Sequence, residues 1–144
     1  MTATVTDRHT IKQFAKYLAV GVINTLVTLV VIVACKSLLG INPLVSNALG
    51  YIAGVVNSFL WNRAWVFRAD GHLTAQAAKF LIGFGLCYGI QFAIVWGTMK
   101  FTMFDEMLWH IGGFTLSGYG LVTILAMGVY TVCNFIYNKL VSFR

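Results

Sequence analysis

Four stretches of this chain run without a charged residue for long enough to cross a lipid bilayer, and nothing else in the sequence limits the fold as much. Nineteen uncharged residues separate Lys16 from Lys36, and twenty-six separate Lys36 from Arg63. Twenty separate Lys79 from Lys100, and thirty-two separate Glu106 from Lys139, broken only by His110. A helix needs about 20 apolar residues to cross a hydrocarbon core of about 30 Å. The runs therefore predict helices over about Phe14–Lys36, Leu44–Trp61, Ala78–Met99 and Gly112–Tyr137. The hydrophobicity is continuous rather than alternating, which argues against a β-barrel, and an open sheet would leave unpaired backbone in lipid. The expected fold class is an all-α membrane protein with four transmembrane helices, one domain over residues 1–144.

Composition agrees. Of 144 residues, 59% are hydrophobic and 10% charged, against about 25% charged in a soluble domain. A soluble chain this short could not bury so much apolar surface. The net charge of +6 would suit nucleic acid only on a soluble basic groove. Here the basic residues flank apolar runs, which points to lipid headgroups and no nucleic acid. The polar stretch Met1–Gln13 precedes a run too long for a signal-peptide core, so the first run reads as a retained helix. Cys35, Cys87 and Cys133 each lie within an apolar run and read as packing residues.

Placement of Lys and Arg sets the orientation. Arg8, Lys12, Lys16, Arg63, Arg68, Lys79, Lys139 and Arg144 fall on one side, while Lys36 and Lys100 fall on the other with Asp105 and Glu106. The positive-inside rule puts the eight in the cytoplasm, making the chain N-in and C-in.

The chain also repeats itself. Phe59-Leu-Trp-Asn62-Arg63-Ala-Trp-Val-Phe67-Arg68 aligns without gaps to Phe135-Ile-Tyr-Asn138-Lys139-Leu-Val-Ser-Phe143-Arg144, 76 residues on. Gln13-Phe-Ala-Lys16-Tyr17-Leu18 likewise resembles Gln76-Ala-Ala-Lys79-Phe80-Leu81. Repeat one covers about 12–68 and repeat two about 75–144. Two helices per copy is an even number, so the repeats are parallel, each entering and leaving on the cytoplasmic side.

Polar residues inside the spans are costly unless paired. Gly21, Asn24, Thr25 and Thr28 mark one face of the first helix; Asn47, Gly50, Gly54, Asn57 and Ser58 mark the second. Gly85 and Gly89 form a small-xxx-small pair on the third, with Gln91 near its middle, and Thr123, Thr131, Asn134 and Asn138 run along the fourth. Such residues pack helices closely and bond across them. Alternatively they line a polar path, with Asn24, Asn57 and Asn134 the first choices, because an amide both donates and accepts. Lys16, Lys79, Arg63 and Lys139 flank the helices and read either as topology anchors or as a phosphate site, Arg63 being best suited to grip phosphate through two bonds. No Asp or Glu lies within a predicted span, and no catalytic constellation, phosphate-cradling loop, metal cluster or cofactor motif is present. The sequence gives no support for an enzyme.

Phe14-Ala-Lys-Tyr-Leu-Ala-Val-Gly21-Val-Ile-Asn24-Thr25-Leu, Asn57-Ser-Phe-Leu-Trp-Asn62-Arg63-Ala-Trp-Val-Phe67 and the closing Asn134-Phe-Ile-Tyr-Asn138-Lys139-Leu-Val-Ser-Phe143 together resemble the GtrA family over about residues 12 to 144. The resemblance implies a small four-helix protein of the bacterial inner membrane. It implies movement of a polyprenyl-phosphate-linked sugar from the cytoplasmic to the outer leaflet, where a glycosyltransferase uses it on O-antigen, teichoic acid or another cell-wall glycan. The family-pattern positions, carried onto this sequence, are Gly21, Asn24, Thr25, Asn57, Asn62, Arg63, Phe67, Asn134, Asn138 and Phe143, with Lys139 standing where the first repeat has Arg63; the polar and charged ones among them are the substrate-binding candidates the resemblance implies. Four helices make a thin wall for a lipid-sized path, so a homo-oligomer is expected. The rival readings are a scaffold that recruits a glycosyltransferase, and a small multidrug-type exporter whose usual intramembrane carboxylate is missing here.

Overall fold

The computed structural model describes residues 2–101, 108–111 and 114–144, with side chains at 8–101 and 117–144. Helix α1 spans Thr2–Val33, α2 Pro43–Trp61, α3 Leu73–Phe101 and α4 Gly118–Tyr137. A short antiparallel pair, β1 (Leu108–Ile111) and β2 (Phe114–Ser117), lies between α3 and α4 and pairs Leu108 with Ser117. Four helical stretches, Arg8–Leu38, Pro43–Val66, Leu73–Phe101 and Gly118–Ser142, are long and apolar enough to cross a membrane.

The helix boundaries depart from the expectation in one direction at the start of α1 and α3 and in the other at α4. The first and third helices begin earlier, at Thr2 and Leu73, because a helix does not stop at the membrane surface of its own accord and no Gly or Pro breaks residues 2–13 or 73–77. The fourth begins later, at Gly118 rather than Gly112. The Ser117 hydroxyl accepts from the Gly120 backbone N–H at 3.1 Å and caps it. Asp105 and Glu106, expected in the outer connection, lie outside the described residues.

Three helices end in a wider π turn: Ala34–Leu38 after α1, Asn62–Val66 after α2 and Asn138–Ser142 after α4. The first two close alike. Leu39 N–H reaches the Ala34 carbonyl and Phe67 N–H the Asn62 carbonyl. Gly40 and Arg68 then take positive φ, and Ile41 and Ala69 bond back to Cys35 and Arg63. Pro43 starts α2 where its missing N–H costs nothing, and the Asn42 side chain accepts from Leu44 N–H at 2.8 Å.

The chain divides into two compact units, Met1–Gly71 with Phe143, and His72–Ser142 with Arg144. In the first, Gly50 and Gly54 let α2 lie against α1. A methyl at Gly50 would fall 2.9 Å from the Thr28 carbonyl oxygen and run into Ile32, and one at Gly54 would strike the Thr28 hydroxyl. The Phe143 ring stacks on Phe67 at 5.1 Å between centroids and tilts against Phe59 at 5.8 Å. In the second unit Gly83 makes the corresponding close approach, under the Tyr137 ring. Gly85 and Gly89, expected to pack helices, instead have open space at their Cβ positions. They occupy a different face of α3 from Gly83.

Burial is the reverse of a soluble domain. Leu44, Ile52, Leu86 and Leu125 are exposed, while Ser46, Asn62, Gln76, Asn134, Asn138 and Ser142 are buried. Apolar side chains face outward because hydrocarbon is the solvent there, and polar ones turn inward, away from it.

Candidate functional site

The first unit brings Asn24 and Asn57 together. The Asn57 Nδ2 donates to Asn24 Oδ1 at 2.6 Å, joining α1 to α2. Asn24 lies eight residues beyond Lys16, about 12 Å along the helix, so the pair sits well inside the span. Thr25 is not part of it: its side chain is exposed, and its hydroxyl donates to the Gly21 carbonyl of its own helix at 3.1 Å.

At the end of α2 the side chain of Asn62 is 1% exposed. Its Nδ2 donates to the Ser58 carbonyl at 2.8 Å and to the Ser58 hydroxyl at 3.2 Å. A carbonyl only accepts, so the amide nitrogen must face Ser58. The Asn62 Oδ1 then points away, buried and without a partner among the described residues. Next to it Arg63 donates from Nη2 to the Gly71 carbonyl at 3.0 Å. The Lys16 ammonium lies over the Trp65 ring, 5.2 Å from its centroid, and Trp61 meets Trp65 edge-on. Lys16, Asn62, Arg63 and two tryptophans thus gather at one end of this helix pair.

In the second unit the polar groups run along α4. Asn134 donates to the Tyr130 hydroxyl at 3.2 Å, and Asn138 donates to Asn134 Oδ1 at 3.4 Å. The Asn138 Oδ1 and the Ser142 hydroxyl are buried without a partner among the described residues. Asn62 and Asn138, 76 residues apart, each open a π turn, each send Nδ2 back four residues, and each leave a carbonyl oxygen unspent. Lys139 is half-buried beside Asn138, whereas Lys79 is exposed. Among the described residues no three His, Cys, Asp or Glu side chains converge as a metal would require.

This donor and acceptor pattern has a chemical reading. An unpaired buried acceptor costs roughly 1–3 kcal/mol, and it is relieved by a donor such as a hydroxyl or water. A cation beside it is matched by phosphate. π turns of this kind recur at functional sites because they re-aim side chains.

Sequence reasoning missed two features. Ser58 and Tyr130 partner the site asparagines, a role visible only once helix faces are known. A cavity of about 320 Å³ in the second unit is lined by Tyr88, Gln91, Phe92, Trp96, Tyr119 and Thr123, among others. Its signal was present as aromatics at four-residue spacing on α3.

The sequence pattern of the family described as GtrA/DPMS, transmembrane domain, matches residues 16–143. The chain is 30% identical over 135 residues to the bactoprenol-linked glucose translocase of Shigella phage SfII, covering 93% of this chain and 97% of that protein. It is 26% identical over 134 residues to the prophage bactoprenol-linked glucose translocase homolog of Escherichia coli (strain K12), with the same coverage. It is also 33% identical over 99 residues to the uncharacterized membrane protein YngA of Bacillus subtilis (strain 168), covering 64% of this chain and 62% of that one. With a match running from the first span to the last aromatic of the closing motif, the chain belongs to the GtrA/DPMS transmembrane-domain family.

Proposed function

We propose that this protein is a translocase that carries an undecaprenyl-phosphate-linked monosaccharide from the cytoplasmic to the outer leaflet of a bacterial inner membrane. A glycosyltransferase of the same pathway uses the sugar there. Both termini lie in the cytoplasm, and the two helix pairs act as parallel repeats. The observation that carries the reading is the recurrence of one arrangement at two places: Asn62 before Arg63 and Asn138 before Lys139, each a buried amide with an unspent acceptor followed in sequence by a cationic residue. Acceptors suit sugar hydroxyls and cations suit phosphate, so each copy matches the two chemical parts of the head. The near full-length likeness to bactoprenol-linked glucose translocases supports the same substrate class.

The physical task is to lower the cost of moving a phosphodiester and several hydroxyls through hydrocarbon, each bare hydroxyl costing roughly 1–3 kcal/mol. The membrane potential helps, since one negative charge leaving a negative interior gains roughly 2.3 kcal/mol per 100 mV. The movement is facilitated flipping without a coupling ion, in keeping with spans that carry no carboxylate between their flanking charges. The test is purified protein in vesicles with a labelled polyprenyl-phosphate sugar. Wild type is expected to accelerate transbilayer movement, with loss in Arg63→Ala and Asn57→Ala proteins that still insert. No acceleration over protein-free vesicles overturns the reading and favours a scaffold.

A further inference from the structure

The cavity between α3 and α4 of the second unit is lined largely by aromatic rings. Tyr88, Phe92, Trp96 and Tyr119 are each more than half exposed along it. Tyr88, Phe92 and Trp96 follow one another at intervals of four on α3, which puts their rings in a row on one face. Gln91 stands beside them. It lies nine residues before Lys100, about 14 Å in from that end of the helix, and its amide bonds no group among the described residues. At the rim, the Lys100 ammonium lies over the Trp96 ring at 4.6 Å.

An amide at that depth meets hydrocarbon unless something polar occupies the groove, and leaving it bare costs free energy. A purely isoprenoid occupant would gain from the rings but would leave Gln91 unpaired. A sugar ring satisfies both: its apolar faces lie on aromatic rings, and its hydroxyls need groups that donate and accept. Gln91 offers two N–H donors and an acceptor, and the two tyrosines offer hydroxyls. Thr123 already donates to the Tyr119 carbonyl at 2.7 Å, so its oxygen is left as an acceptor. The volume, about 320 Å³, falls at the lower end of the range for small-ligand sites, roughly 300–1,000 Å³. On the register that pairs Lys16 with Lys79, the positions of Tyr88, Gln91, Phe92 and Trp96 correspond to Thr25, Thr28, Leu29 and Val33. The first unit has no aromatic row there, so the groove is a property of the second unit alone.

We propose that this groove is a sugar subsite. It holds the monosaccharide of the lipid on the half of its path nearer Lys100, the end that charge asymmetry assigns to the outer surface, with Lys100 at the rim within reach of the phosphate. The proposal rests on the translocase reading and deepens it. The test uses native mass spectrometry of the intact protein in detergent with two probes, undecaprenyl phosphate and undecaprenyl-phosphate glucose. Wild type is expected to prefer the glucose-bearing lipid. Gln91→Leu and Phe92→Leu are each expected to reduce that preference at least fivefold while keeping wild-type retention of undecaprenyl phosphate. A preference unchanged in both variants overturns the sugar subsite and leaves the translocase reading intact. Equal loss of both lipids overturns it too, because it makes the groove a seat for the tail. If wild type binds neither lipid, the translocase reading falls and the subsite falls with it. Gln91→Asn, which keeps the amide, is expected to retain more of the preference than Gln91→Leu.

Discussion

The two units solve the same problem, holding a pair of helices together in lipid, with different chemistry. The first uses glycines and a buried amide bond: Gly50 and Gly54 seat α2 on α1, and Asn57 bonds Asn24. On the registers set by Lys16 with Lys79 and by Asn62 with Asn138, the second unit has Cys87 and Cys133 where the first has Asn24 and Asn57, and Ala126 and Tyr130 where it has Gly50 and Gly54. Its contact is built from larger, softer groups. Tyr130 meets Phe84 edge-on at 6.2 Å, Phe84 stacks with Tyr88, and Cys87 is buried. A van der Waals contact between rings resists separation without fixing a register. A hydrogen bond between two amides fixes one. The difference suggests a division of labour within the proposed function, with the first pair as frame and the second as the side that meets the sugar.

The largest expected effect tests the frame. An added methyl at Gly50 meets the backbone oxygen of Thr28 at 2.9 Å, and backbone cannot swing aside as a side-chain end can. Gly50→Ala should destabilise the protein by about 1–3 kcal/mol, the usual range for overpacking. Gly85→Ala and Gly89→Ala point into open space and should change stability by less than about 0.5 kcal/mol. Unfolding of the detergent-solubilised protein by added dodecyl sulfate measures both. If Gly85→Ala costs as much as Gly50→Ala, then α3 has a partner on that face and the contrast between the pairs is lost.

The same glycines show what the sequence could and could not reveal. Four spans were legible because lipid forces long uncharged runs, and few folds other than helices tolerate them. The Asn–basic copies at Asn62 and Asn138 were legible as a repeated string. The helical face that each glycine occupies was not, because Gly83, Gly85 and Gly89 are equally small and only the position of Tyr137 selects Gly83. The start of α4 was hidden because thirty-two uncharged residues exceed what one span needs, and hydropathy does not mark where a strand pair gives way to a helix. The π turns left no compositional trace. They follow from backbone bonds spanning five residues, and the asparagines that open them are recognisable only afterwards. Thr25 carried the family pattern yet bonds its own helix, since a motif fixes residue type without fixing which way the helix faces.

The next effect in size compares the two cations. Arg63 presents a planar fork to a phosphate, while Lys139 presents a point charge. Arg63→Ala should lower transport of the glucose-bearing lipid roughly tenfold, about 1.4 kcal/mol, and Lys139→Ala by a smaller factor. Arg63→Lys should recover only part of the loss, whereas Lys139→Arg should keep full transport. Vesicle transport rates at equal protein incorporation measure all four. Equal losses at the two positions would make the copies interchangeable, against the asymmetry drawn from their neighbours.

The smallest effect goes to the centre of the comparison, the amide pair against the thiol pair. Interhelical hydrogen bonds in membranes couple weakly, about 0.6 kcal/mol on average and up to about 1.7, because a separated partner finds other bonds. The Asn57–Asn24 bond is short and joins two helices, so a double-mutant cycle of Asn24→Leu with Asn57→Leu should give a coupling toward the upper part of that range. Either single variant leaves one amide bare inside the span, so each should cost more than the pair removed together. The corresponding cycle of Cys87→Ala with Cys133→Ala should give less than about 0.3 kcal/mol, since a thiol is a weak donor and packs as a small apolar group. The two thiols nevertheless stand where the repeat registers place Asn24 and Asn57. Replacing them with asparagine therefore transplants the amide pair into the second unit. Cys87→Asn with Cys133→Asn should show a coupling that the native thiols lack. It should also slow transport, because a register bond would then hold the helices on either side of the sugar groove. A double variant that gains coupling yet transports at the wild-type rate would separate stiffness from function and refute the division between frame and moving side.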